Sequence, residues 1–389
     1  MGNQQLRDAV ILAYGRSAIA RGVKGSLKDT HPVDYAGLVL AEVVKKVPEM
    51  TPDMIEDVVV GCAKPEGAQG VNCGRLVVLR AGLPDSVPAQ TVTRLCASGL
   101  QAIANGANAI MTGQAELVCA GGMESMTKIP MGVDPSVRNA WISENKPGLY
   151  WPMGLTAERV AQVYGISRVE MEQFAVESHA KAAAAREAGA FKKEIVPIVI
   201  QDENGNDLIF DTDEGIRQGT SLEKLAALKP SFSEDGRVTA GTASQVSDGA
   251  GFVVLASAEK ARELGVKPLA RFICYAVAGV PAEVMGIGPI HAIPRALTLS
   301  GLTAADLDVI ELNEAFAAQA IPCIRKLKLD PEKINPRGGA IALGHPLGAT
   351  GAILLCKALS YLEDTNGRYG MISMCIGGGM GAAGIIERL

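Results

Sequence analysis

Aromatic side chains are scarce, at 4% of 389 residues, while glycine reaches 44. Such an interior is filled by small side chains and close backbone packing rather than by stacked rings. Paired cysteine spacing is also missing. The eight cysteines stand at 62, 73, 96, 119, 274, 323, 356 and 375, with no CxxC and no Cys/His pairing at metal-ligand intervals. No metal site is expected, and the thiols read as reduced residues of a cytosol-like compartment, most of them small core fillers. Basic charge is not in excess: 37 Lys and Arg face 42 Asp and Glu, for a net charge of −5. Nucleic acid as a main partner is thereby excluded, because phosphate backbones demand concentrated Lys and Arg. No apolar run approaches the ~20 residues of a membrane span. The opening MGNQQLRDAVILAYGR has too short an apolar run for a signal peptide, and Leu6 falls where myristoylation wants Ser or Thr. An unprocessed cytoplasmic protein is expected.

What is present is an alternation of strand and helix signals. DAVILA at 8–13 reads as a buried strand, and Val33, Gly37, Leu40, Val43, Val44 and Val47 recur at helical spacing before Pro48. TPDMIEDVVVGC at Thr51 predicts a short capped helix and a strand, Asn72 to Leu83 a helix, and Ala89 to Arg94 another strand. RLCASG then leads into a helix with Leu100, Ile103, Ala104, Ala107, Ile110 and Met111 on one face, followed by a strand at 116–120 that empties into a GGMESM loop.

The C-terminal part repeats this grammar. GHPLGATG leads into a helix carrying Leu354, Leu355, Ala358 and Leu362, then the last strand at 371–375, then GGGMG, with Met123 and Met380 in matching places. TAADLDVIELNE at Thr303 echoes TPDMIEDVVVGC at Thr51. Two echoes in the same order predict a duplicated α/β unit. Between the halves, 123–243 has another texture, rich in Met and Pro and holding both Trp141 and Trp151. Ser167 and Glu170 form a capping box for a helix ending at Gly189, and a hairpin-like stretch surrounds Asn204 to Asp207. An excursion of this length covers an active site or forms a subunit contact.

Chemistry concentrates at the loops. Cys96 opens a helix after a strand, where the positive end of the helix would lower its pKa from about 8.5 and leave a nucleophilic thiolate; the other possibility is an inert buried thiol. His345 occupies a glycine-bounded turn in the matching place, either as the base for that thiol or as a helix cap. Cys375 meets a glycine run whose N–H groups can form an oxyanion site. Asn313 in NEAFAAQ is an amide donor or a cap, and Glu314 reads as a helix-start charge.

RLCASGLQAI at Cys96, LNEAFAAQA at Asn313, GGAIALGHPLGATGA at His345 and MCIGGGMGAA at Cys375 resemble, in order and spacing, the four catalytic loops of the thiolase family. The resemblance covers essentially the whole chain. It implies an α/β fold of two duplicated α-β-α-β-α layered halves with mixed sheets and an inserted loop domain. The first half would span 1–122 and 244–270, the loop domain 123–243 and the second half 271–389. By resemblance, Cys96 is the nucleophile, His345 its base, Cys375 a proton donor and acceptor, Asn313 an enolate-site residue acting through a water, and the amides of Cys96 and Gly377 the oxyanion hole. Met153, Arg217, Leu228, Ala240, Ser244, Ala315 and Phe316 would line a coenzyme A site, with CoA a co-substrate and no permanent cofactor. Pro152, Lys224 and Arg337 depart from the pattern of many short-chain members. VNCGRLVVLRAGLPDSVPA and MGLTAERVAQVYGISR look like degradative 3-ketoacyl-CoA thiolases of fatty-acid β-oxidation, and acetoacetyl-CoA thiolase activity is the alternative. The resemblance further implies a homodimer or homotetramer and allows association with a hydratase/dehydrogenase subunit.

Overall fold

The computed structural model describes residues 6–202 and 204–389; the reading of residues 1–5 as part of an unprocessed N-terminus lies outside them. The DAVILA strand is the start of β1 (Ala9–Arg16), buried throughout. After β2 (Ala20–Arg21), the helical stripe from Val33 winds into α1 (Pro32–Lys45), with Pro32 in its first turn and His31 as its cap. The first run continues through β3 (Asp57–Gly61), α2 (Cys73–Arg80), β4 (Ala89–Val92), α3 (Ser98–Met111) and β5 (Leu117–Ser125). The excursion contains α4 (Met153–Tyr164), then α5 (Arg168–Glu187) with its Ser167/Glu170 capping box, and the hairpin of β6 (Ile198–Gln201) and β7 (Asp207–Phe210). The chain returns in β8 (Ser247–Ser257). The second run is β9 (Ala270–Gly279), α6 (Gly288–Ser300), β10 (Val309–Leu312), α7 (Ala317–Leu327), α8 (Leu347–Thr365), β11 (Tyr369–Ile376) and β12 (Met380–Arg388).

The main sheet runs β10-β11-β12-β9-β1-β8-β5-β3-β4. From its middle outward, β1-β8-β5-β3 and β9-β12-β11-β10 show one pairing pattern: antiparallel, antiparallel, parallel. The two blocks join through Val10 opposite Arg271 and Ile11 opposite Ala270. The echo read in the sequence is therefore a repeat of topology. α3 and α8 hold equivalent places and pack against each other. Every residue of α8 from Gly348 to Ser360 is buried, as a helix enclosed between layers requires.

Three local readings change. GGMES is not a loop, because β5 runs through it to Ser125, paired to β8 as far as Asp248. Cys375 is not on the last strand, since Gly377–Gly379 turns β11 back into β12. Met123 inside β5 and Met380 at the start of β12 therefore do not correspond. Glycine-rich sequence served close approach in the first case and reversal in the second, where Gly378 and Gly379 have φ of +81° and +89°.

The halves meet backbone to backbone. A Cβ on Gly122 would lie 2.1 Å from the carbonyl oxygen of Gly348, and one on Gly99 2.7 Å from the same atom. Gly122→Ala is expected to destabilise the protein by about 2–3 kcal/mol, since neither backbone can yield locally. A urea midpoint unchanged from wild type would contradict this packing.

Candidate active site

Cys96 lies in the turn Leu95–Ala97, immediately before α3. The preceding Leu95 has φ +46°, a costly conformation for a leucine. Ser98 holds this bend: its Oγ donates to Leu95 O at 2.6 Å and accepts the Arg94 N–H at 2.9 Å. The bend leaves Cys96 9% exposed, whereas Cys375 has no exposure. Of the two residues, Cys96 is the less completely enclosed.

Burial pushes the Cys96 pKa up to about 11, although N–H groups of Gly377 and of Cys96 itself reach the sulfur and oppose the rise. This corrects the expectation of a helix-stabilised thiolate. The desolvation of a charged sulfur outweighs the helix end, so the resting residue is a thiol and needs a base. Alkylation of Cys96 by iodoacetamide is expected to titrate with a midpoint near 11. A midpoint at or below the ordinary cysteine value of about 8.5 would contradict this environment.

His345 lies in the turn just before α8. Gly344, at φ +116°, turns the chain, and the His345 N–H donates to Ser247 Oγ and Gln245 O, both at 3.2 Å. Its Nδ1 is 2.6 Å from Thr350 Oγ1, which donates to Pro346 O at 3.1 Å. With its hydrogen given to that carbonyl, the hydroxyl accepts from Nδ1–H, which leaves Nε2 unprotonated, its lone pair facing the Asn313 amide. Burial lowers the imidazole pKa to about 4, so the ring is neutral at physiological pH. Thr350 was missed in the sequence; its place five residues after the histidine, in the first turn of α8, is the signal that could have found it.

Asn313 follows β10, and its Nδ2 is 3.3 Å from His345 Nε2. Its Oδ1 is buried without a hydrogen-bond partner, an acceptor available to a ligand. Cys375 lies close enough to Cys96 for that thiol to raise its cost of ionisation; burial first, and this neighbour second, push the Cys375 pKa well above the usual thiol range. Gly377 follows at the hairpin, and a Cβ there would touch Leu95 Cδ1 at 3.4 Å and Met153 Sδ at 3.5 Å. Cys96, Cys375 and Gly377 are thus neighbours, as are His345 and Asn313, and the Asn313 N–H donates to Ser373 O at 2.9 Å, two residues before Cys375 on β11.

Glu314 is not a helix-start charge. It is 2% exposed and lies before α7 as the centre of a network. Its carboxylate accepts Ser178 Oγ at 2.6 Å, Asn335 Nδ2 at 2.8 Å and the Ile341 N–H at 3.2 Å. Burial raises its pKa against these donors. The network fixes the GGAIAL stretch that leads to His345.

The proposed CoA-lining residues divide. Met153, Leu228, Ala315 and Phe316 share one apolar cluster, with Phe316 edge-on to Phe232 at 6.0 Å between ring centroids. Beside it, loops 242–244 and 315–317 are joined by Ser244 N–H to Ala315 O and Ala317 N–H to Thr242 O, each 2.9 Å. Ala240 is exposed at the edge of that loop. Arg217 is exposed elsewhere on the excursion, its N–H donating to His179 Nδ1 at 3.2 Å. Arg337 turns inward, where Nη1 donates to Ser360 Oγ at 2.9 Å and Nη2 pairs with Asp364.

Residues 9–259 match the family "Thiolase, N-terminal domain", and 266–388 match "Thiolase, C-terminal domain". The chain is 48% identical to 3-ketoacyl-CoA thiolase of Bacillus subtilis (strain 168), over 98% of this chain and 100% of that one. It is 45% identical to the peroxisomal 3-ketoacyl-CoA thiolase of Homo sapiens, over 98% and 91%. The crystal structure of Bacillus anthracis acetyl-CoA acetyltransferase superposes over the full length of both chains, with a TM-score of 0.92 and 39% identity.

Proposed function

The chain belongs to the thiolase family, and from that premise we propose that it is a 3-ketoacyl-CoA thiolase of fatty-acid β-oxidation, an acyltransferase that cleaves its substrate with CoA. The observation that carries this reading is a pair of neighbouring thiols, Cys96 and the sealed Cys375, in a chain whose His345 is a buried, neutral imidazole. Cys96 Sγ attacks the C3 carbonyl of a 3-ketoacyl-CoA while its proton passes to His345 Nε2. The oxyanion that forms is held by the N–H groups of Cys96 and Gly377. When the tetrahedral adduct collapses, the C2–C3 bond breaks and its electron pair passes to the acetyl-CoA enolate. That enolate is met by His345 and by a water on Asn313, and its C2 takes the Cys375 proton. CoA then gives its thiol proton to Cys375 and attacks the acyl-Cys96 thioester; the departing Cys96 sulfur recovers its proton from His345.

The cycle uses CoA as co-substrate and draws on no permanent cofactor or metal. Residues 123–243 are assigned as the loop domain that carries CoA, with Met153, Arg217, Leu228, Ala240, Ser244, Ala315 and Phe316 along its path. The flanking halves are 1–122 with 244–270, and 271–389. A cytoplasmic homodimer or homotetramer completes the reading. The test is thiolysis measured with 3-ketoacyl-CoA substrates of increasing chain length. Turnover of medium and long chains is expected; turnover confined to acetoacetyl-CoA would move the chain to the acetyl-CoA acetyltransferase activity named for the superposed structure.

A further inference from the structure

Glu124 has no part in the steps above, yet it is 1% exposed on β5 between the two catalytic turns. Its Oε2 accepts the N–H of Ala63, just beyond β3, at 2.7 Å and that of Gly348, in the first turn of α8, at 2.8 Å. Its Oε1 accepts Gln69 Nε2 at 2.7 Å and faces Cys62 Sγ at 3.9 Å. Its own carbonyl accepts the Tyr35 hydroxyl at 2.7 Å. Each of these partners of the carboxylate is a donor, and none is a cation. A proton on the carboxyl would displace one of those donors, so the geometry favours the anion, although burial raises its pKa.

Two consequences follow from that placement. Gly348 is three residues from His345, so the carboxylate ties the first turn of the histidine's helix to the strand ends of the other half. The buried charge also acts on nearby ionisable groups: Tyr35 on α1, Cys62 beyond β3, Cys73 on α2 and Cys96 before α3. For Cys96 it opposes formation of the thiolate. We infer that Glu124 is a positioning residue for the thiolytic reaction: it holds the His345 helix in register with the Cys96 turn. Its charge adds to the burial that opposes the Cys96 thiolate, as the smallest of the influences on that thiol. The inference rests on the reading of Cys96 as nucleophile and His345 as base.

The experiment combines steady-state thiolysis with the pH dependence of Cys96 alkylation by iodoacetamide, read by peptide mass, in wild type, Glu124→Gln and Gly348→Ala. In Glu124→Gln, kcat falls on the order of 10²-fold with KM for CoA little changed, because a misplaced base slows chemistry rather than binding. The alkylation midpoint of the same variant moves down, because a neighbouring negative charge has gone, so the less active enzyme carries the more readily ionised thiol. Loosened packing around Cys96 would lower that midpoint as well, so Gly348→Ala, which disturbs the same contact and keeps the charge, separates the two causes. Gly348→Ala places a Cβ 2.7 Å from Glu124 Oε2 and keeps the charge; its kcat falls while its midpoint stays at the wild-type value. An unmoved or raised midpoint in Glu124→Gln overturns the inference. If Glu124→Gln does not fold, a shifted midpoint or an unchanged kcat in Gly348→Ala overturns it instead. Alkylation needs no turnover, so a wild type inactive on every 3-ketoacyl-CoA would refute the proposed function while the alkylation result still judges the charge effect.

Discussion

Cys96→Ala is expected to lower thiolysis on the order of 10⁴-fold or more, with CoA still bound and the melting temperature close to wild type. Removing the nucleophile removes the covalent route, and what remains is the small catalysis that a bound but unattacked substrate receives. The residue is small and lies in a turn whose strained bend at Leu95 is held by Ser98 rather than by the Cys96 side chain. Stability and activity should therefore separate. Steady-state assays beside a thermal melt check this, and a variant that retains more than about a tenth of wild-type turnover would remove Cys96 from the chemistry.

His345→Ala should cost about 10²–10⁴-fold in kcat/KM, the range for loss of a positioned base. It should also change the shape of the pH profile. With His345 neutral down to about pH 4 and Cys96 protonated up to about pH 11, the wild-type pair contributes no ionisation step between them. Without the imidazole, only the spontaneously formed thiolate reacts, and below about 11 that fraction grows tenfold per pH unit. The variant should therefore gain activity steeply between pH 7 and 10, while the base in the wild type is lost only as pH falls through about 4. A variant profile parallel to wild type would show that His345 does not take the thiol proton.

How much of this site was legible in the sequence depended on the range of the interactions involved. The turns at Cys96 and His345 are written locally in glycine, proline and helical spacing, and the topology repeats as the sequence echoes do. Asn313 and Cys375 stood out for the same reason, as polar residues at the ends of apolar strands. The ionisation state of Cys96 was misread because a helix end is visible in the sequence and desolvation is not: the second depends on packing by distant segments, and it is the larger effect. Glu314 was misread likewise, since its partners Ser178, Asn335 and Ile341 lie 21 to 136 positions away. GGMES resembled a loop because small residues serve turns and close contacts alike; only the approach of Gly348 to Gly122 distinguishes them. Glu124 was hidden in that stretch.

The central claim, a covalent acyl intermediate on Cys96 of a two-thiol site, is tested most directly by mass spectrometry of the enzyme mixed with a 3-ketoacyl-CoA in the absence of free CoA. The account predicts that the peptide containing Cys96 gains the mass of the shortened acyl group while that containing Cys375 stays unmodified, and that added CoA removes the label. An unmodified Cys96 peptide, or an acyl group on Cys375 instead, would contradict it.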